Sequence, residues 1–167
     1  MTVSENPQAQ LYFSKGPKER SQMLEHLRVP EDQKLLEICV RIDDDPCNRI
    51  AALRKLSYPE SRETIVDAAL HDISGYVQEE AVGKLPYPQE AELLTEIARR
   101  PVSDLFYKTD SLAPSAAQGI LAKAGICPRC GAAEITEKTY TAYREDDPEV
   151  EYETSGYWCR ACNWHER

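Results

Sequence analysis

No apolar run in this chain of 167 residues approaches the roughly 18 that a membrane-spanning helix requires. The opening MTVSENPQAQ has neither the basic start nor the apolar stretch of a secretory signal. Both absences predict a cytoplasmic protein, in which cysteines serve as thiols or metal ligands rather than disulfides. Aromatic residues make up only 8% of the chain, so a core must come from Leu, Ile, Val and Ala. The seven glycines form neither G-x-G-x-x-G nor G-x-x-x-x-G-K, which removes the usual phosphate-cradling loops. His26 and His71 have no sequence-evident Cys or Ser partner, His165 could stand in only as a replacement metal ligand, and a chain without catalytic residues is expected. Positive charge is also short: the net charge is −9. Residues 16–102 hold 12 basic against 17 acidic side chains, and residues 127–167 hold 5 against 9. Neither part has the basic footprint of a general nucleic-acid binder. An acidic surface instead attracts basic ones.

What is present is a repeat. LRVPE at 27–31 returns as LSYPE at 56–60 and LPYPQ at 85–89, a shift of 29 residues each time. Upstream, Leu24, Leu53 and Val82 align, as do Met23, Ala52 and Ala81. Downstream, Leu36, Ile65 and Leu94 align, then Cys39, Ala68 and Ile97, then Val40, Ala69 and Ala98. Positions 23, 24 and 27 form one helical stripe and 36, 39 and 40 another. Each copy therefore predicts helix, tight turn, helix, with Pro30, Pro59 and Pro88 starting the second helix. Short helix pairs cannot bury both faces alone, so such units stack in series. Cys39 and Cys47 fall in apolar slots and are expected in the core.

DPCNRIAALRKL resembles the acidic-Pro, basic, Ala-Ala, Leu pattern of the first helix in compact HEAT-like repeats. The Pro-containing turns are similar to the leucine-rich-repeat variant. The family's Val-Arg pair reads Asn48-Arg49 and Val77-Gln78 here. The resemblance implies a mainly α fold, a short α-solenoid over residues 16–125, preceded by a tail over 1–15. PVSDLFYKTDSL and PSAAQGILAKAG are expected to be the two helices of a degenerate capping repeat.

The chain ends in ICPRCG at 126–131 and YWCRACNW at 157–164. This is C-x2-C, 28 residues, C-x2-C. Four thiolates suit tetrahedral Zn²⁺ and close its coordination sphere, so one structural zinc on Cys127, Cys130, Cys159 and Cys162 is expected. Gly131 and Asn163 follow the second Cys of each pair and tolerate a left-handed backbone. EITEKTYTAYR and EVEYETSGYW flank the turn signal EDDPE and read as a β-hairpin. Residues 126–167 thus resemble a small β zinc ribbon.

In HEAT-like solenoids the second helices line the concave face, so the resemblance directs attention to acids there. Glu31 aligns with Glu60, Glu63 with Glu92, and Asp67 with Glu96. An acidic strip of this kind suits a protein partner with a basic surface. The expected function is a non-catalytic interaction module, an adaptor or an antagonist of a basic protein. The alternative is nucleic-acid association through the ribbon, which carries Arg129, Lys138, Arg144 and Arg160. Its aromatics are Tyr140, Tyr143, Tyr152, Tyr157, Trp158 and Trp164, divided between a minimal core and exposed anchors.

Overall fold

The computed structural model describes residues 3–100, 112–143 and 151–165. Among them are eight α-helices: α1 Pro7–Phe13, α2 Pro17–His26, α3 Gln33–Ile42, α4 Pro46–Lys55, α5 Arg62–His71, α6 Gly75–Val82, α7 Ala91–Ala98 and α8 Ala113–Lys123. A two-stranded antiparallel sheet follows, β1 Ile135–Tyr143 and β2 Glu151–Cys159. Proline opens α1, α2 and α4, where its missing N–H costs no helical hydrogen bond. The side chains of Asn6 and Asp45 cap α1 and α4 by accepting backbone N–H bonds.

Helices α2, α4 and α6 begin at residues 17, 46 and 75, and α3, α5 and α7 at 33, 62 and 91. Both series advance by the spacing read from the sequence. Consecutive members of the first series touch (α2 with α4, α4 with α6), and α6 then touches α8. Helix α3 touches α4, α5 touches α6, and α7 touches α8. All the aligned apolar positions are buried except Met23 and Leu27, which are partly buried against the same core. Cys39 lies fully inside, and burial pushes its thiol up to about 12.

The turns differ from expectation. Pro30, Pro59 and Pro88 each follow a cis peptide bond and sit three residues before the second helix, not at its start. The carbonyls of Pro30, Pro59 and Pro88 accept from the N–H groups of Gln33, Arg62 and Ala91 at 3.3, 3.1 and 3.1 Å. One residue earlier, Asp32, Ser61 and Glu90 donate to Arg28, Ser57 and Pro86 at 2.8, 3.0 and 2.9 Å. The same closed turn thus occurs three times, and the helix begins only after it. Glu31 and Glu60 consequently lie in turns rather than on helices.

Buried charge joins the layers. Arg49 makes a two-pronged bond to Asp72, Nε to Oδ2 and Nη2 to Oδ1, both at 2.8 Å, and its Nη1 reaches the Asp43 carbonyl at 2.7 Å. One repeat earlier, Arg20 pairs with Asp43 at 3.1 Å, and the Tyr12 hydroxyl donates to the same carboxylate at 2.7 Å. Lys55 Nζ donates to the Glu25 and Leu27 carbonyls, and Lys84 Nζ to those of Arg54 and Leu56. These lysines satisfy orphan carbonyls at the end of the preceding helix. Their slot holds the exposed His26 in the first copy and is half-buried in both later copies.

Three further expectations change. Residues 3–15, within the expected tail, pack on the core: α1 buries Ala9 and Tyr12 completely, and burial with the Asp43 bond raises the Tyr12 pKa. Cys47 is exposed, as is its aligned Tyr76, because both stand on the outer side of the first-series helices. Helix α8 was expected as the second helix of a capping pair, but it occupies the first-series position, against α6 and α7. The partner helix expected at 101–112 lies almost wholly outside the described residues, as does the EDDPE turn.

Candidate metal centre and acidic face

The centre starts from the end of α8. Gly125 adopts a left-handed φ of 80° there. Its N–H bonds Ala122, and the N–H of Ile126 bonds the Leu121 carbonyl at 2.9 Å. This pattern closes the helix and turns Ile126 back onto the core. Cys127 is the next residue and is fully buried.

Two matching knuckles follow. Cys127 N–H bonds the Ala132 carbonyl at 2.9 Å, and Cys159 N–H bonds the Trp164 carbonyl at 2.8 Å. Each bond spans five residues and encloses one Cys pair. Gly131 at φ 77° and Asn163 at φ 57° supply the left-handed turns that the sequence predicts. The hairpin carries the second knuckle back to the first: Ile135 pairs with Cys159, and the register runs unbroken to Tyr143 and Glu151. Arg160 N–H also reaches the Glu134 carbonyl at 3.3 Å.

The sulfurs of Cys127, Cys130, Cys159 and Cys162 all lie within 4.8 Å of one another. Cys127 and Cys162 are 3.6 Å apart, and Cys130 and Cys159 are 3.7 Å apart. A tetrahedral ion at about 2.3 Å from each sulfur sets edges of about 3.8 Å. The group therefore fits a metal ion such as zinc, while the separations exceed a disulfide bond. Burial pushes the Cys127 thiol up to about 12, while a backbone hydrogen bond at Ala132 holds Cys130 down to about 7. Cys130 is exposed and Cys162 half-buried, which gives an entering ion a path. His165 is exposed, pairs its backbone with Trp158, and stands outside the sulfur cluster.

On β1, Lys138 places Nζ 3.3 Å from the centre of the Trp158 ring. Tyr157 and Trp164 are half-buried, and Arg129 and Arg160 are exposed. Arg144 lies outside the described residues.

The six acids are all exposed. Glu63 and Asp67 lie on α5, and Glu92 and Glu96 on α7. Glu92 and Glu96 line an open depression of about 570 Å³ with Arg62, Pro88 and Glu90. Basic residues interleave them: Glu63 approaches Arg41 at 3.6 Å and Glu96 approaches Arg100 at 3.2 Å. One acid that the sequence did not single out is more constrained. Glu90 is buried and accepts from Arg62 and from the Tyr58 hydroxyl at 2.8 Å. The Arg62 bond holds its carboxyl below the usual range. The signal for it was the repeat itself, in which Glu90 replaces Asp32 and Ser61 at a turn-closing position.

Among the described residues no helix is long and apolar enough to cross a membrane. Comparison of the chain with models of protein families, with curated proteins and with solved structures gives no significant match.

Proposed function

We propose that this protein is a short HEAT-like α-solenoid with a zinc ribbon, and that it acts as a non-catalytic module binding a protein with a basic surface. The observation that carries this reading is the in-phase recurrence of exposed carboxylates. Glu31 and Glu60 recur in the turns, and Glu63, Asp67, Glu92 and Glu96 on the second helices. A partner crossing two adjacent layers would meet each of these charges twice: Glu31 then Glu60 in the turns, and Glu63 then Glu92 and Asp67 then Glu96 on α5 and α7. The zinc has a structural role in this reading. With four thiolate ligands it keeps no open position for water and holds the ribbon together. A two-stranded ribbon is otherwise marginal.

The test is affinity capture from native lysate with and without nuclease, run beside a variant with Glu63, Asp67, Glu92 and Glu96 all changed to Lys. The expected result is a protein partner that survives nuclease and is lost by the charge-reversed variant. Recovery of nucleic acid, or of partners that vanish with nuclease, would overturn the reading and make the ribbon the binding element.

A further inference from the structure

The three repeat copies are alike in the core, so positions where one copy departs are informative. On α6, Tyr76, Glu79, Glu80 and Gly83 form one stripe at i, i+3, i+4 and i+7. The same stripe reads Cys47, Ile50, Ala51 and Arg54 on α4, and Lys18, Ser21, Gln22 and Glu25 on α2. The third copy thus gains a large aromatic ring at the first position and two carboxylates in the middle. It loses a long side chain at the last. These departures meet in space. Tyr76, Glu79, Glu80 and Gly83 line one groove of about 490 Å³ with Ile50, Arg54 and Lys84. Glycine at position 83 opens the groove where the equivalent slots hold Arg54 and Glu25.

Most of the charge in the groove is already engaged. Arg54 pairs with Glu80 at 2.9 Å. Lys84 is turned into the Arg54 and Leu56 carbonyls, at 3.1 and 2.9 Å. Glu79 is exposed, has no ion pair among the described residues, and stands one turn from the Tyr76 ring, itself 61% exposed. An aromatic face beside an uncompensated carboxylate suits a guanidinium, which stacks on the ring and pairs with the acid through its planar edge. The aliphatic stem would lie along Ile50 and the bare backbone at Gly83.

We infer that the α4–α6 groove receives an arginine side chain of the partner. This rests on the proposed preference for a basic protein, and it places a specific anchor on the opposite helix series from the acidic strip. Short oligo-arginine peptide, titrated into the full chain and followed by two-dimensional NMR, tests it. The expected shifts centre on Ile50, Tyr76, Glu79 and Gly83. Gly83→Arg, which restores the residue found at this slot in α4, should weaken them at least tenfold, and Tyr76→Ala should do the same. Gly83 has φ −60°, and a Cβ there meets its nearest atom at 3.4 Å, so arginine is compatible with the fold. Shifts confined to Glu63, Glu92 and Glu96, unchanged by Gly83→Arg, would overturn the anchor and leave the basic-partner reading standing. Absence of binding on either face would overturn both.

Discussion

Stripping the metal centre should loosen one helix and spare the others. Among the described residues the sheet beside the four cysteines has two strands, and two of the four thiols are fully buried. Structural zinc contributes on the order of 10 kcal/mol to domains of this kind, far more than a lone hairpin supplies. Residues 127–165 should therefore unfold when a chelator is added. The effect should travel one step further, because Cys127 directly follows Ile126, which packs on the helical core. Ile126 is half-buried, so its release forfeits about 0.8–1.5 kcal/mol, half of a fully buried isoleucine. At about 1.4 kcal/mol per decade, amides of α8 should exchange about four- to twelvefold faster. Amides of α3, α4 and α5 should keep their rates, since α8 makes its main contacts with α6 and α7. Hydrogen exchange with mass-spectrometric readout measures both regions in one sample. Unchanged exchange in α8 would refute the coupling. Loss of protection throughout the helices would refute the claim that they carry their own core.

Cobalt substitution should give the absorption of a tetrahedral thiolate site, and Cys130→Ser should weaken the sulfur-to-metal charge-transfer band without removing the helical circular-dichroism signal. Asp72→Ala should cost about 3–5 kcal/mol in urea unfolding, because it strands Arg49 in the interior; Arg49→Met with Asp72→Ala should recover part of that loss. Glu90 has a folded-state pKa below its unfolded one, so its contribution is present at neutral pH and lost as pH falls through the lowered value. Glu90→Gln should flatten the acid limb of a stability-against-pH curve, whereas an unchanged limb would mean that other carboxylates set it. Gly131→Val should lower metal affinity, since φ is 77° there, while Asn163→Gly should be neutral; metal competition titrations compare the two.

The helical layers were legible because burial imposes a period. Leu24, Leu53 and Val82 had to be apolar for one geometric reason, and the same holds for Leu36, Ile65 and Leu94. The metal centre was legible because four sulfurs at fixed spacing have few other uses, and the left-handed sites at Gly131 and Asn163 follow from the knuckle's backbone. The turns were misread because proline suits both a helix start and a turn. Only the three-dimensional path shows that the carbonyls of Pro30, Pro59 and Pro88 close a further turn first. Cys47 was misread because a small thiol is equally at home inside and outside, and its exposed neighbour in register, Tyr76, was taken as apolar filling. The Arg49–Asp72 and Arg20–Asp43 pairs were not recognised because charged residues in sequence default to the surface. Their spacing of 23 residues, occurring twice in phase, was the available signal.

That ladder also distinguishes the copies. The first two each carry a buried Arg–Asp pair, while the third has Gln78 in the arginine slot and Pro101 in the aspartate slot. Gln78 keeps the neutral part of the pattern: its Nε2 bonds the Asp72 carbonyl at 2.7 Å, as Arg49 Nη1 bonds that of Asp43. The third copy therefore lacks the internal charge pair that braces the others. It is also where α8 packs in first-series position and leads, through Gly125 and Ile126, into the metal centre. It likewise carries Tyr76 and Gly83, the departures that open the surface groove. The missing charge pair, the four-cysteine group that follows α8 and a distinct surface thus coincide in one layer. With Gln78 and Pro101 in those slots, the third layer packs against α8 without the Arg–Asp pair that braces the other two. Metal occupancy should accordingly alter binding at the α4–α6 groove more than stability at α3.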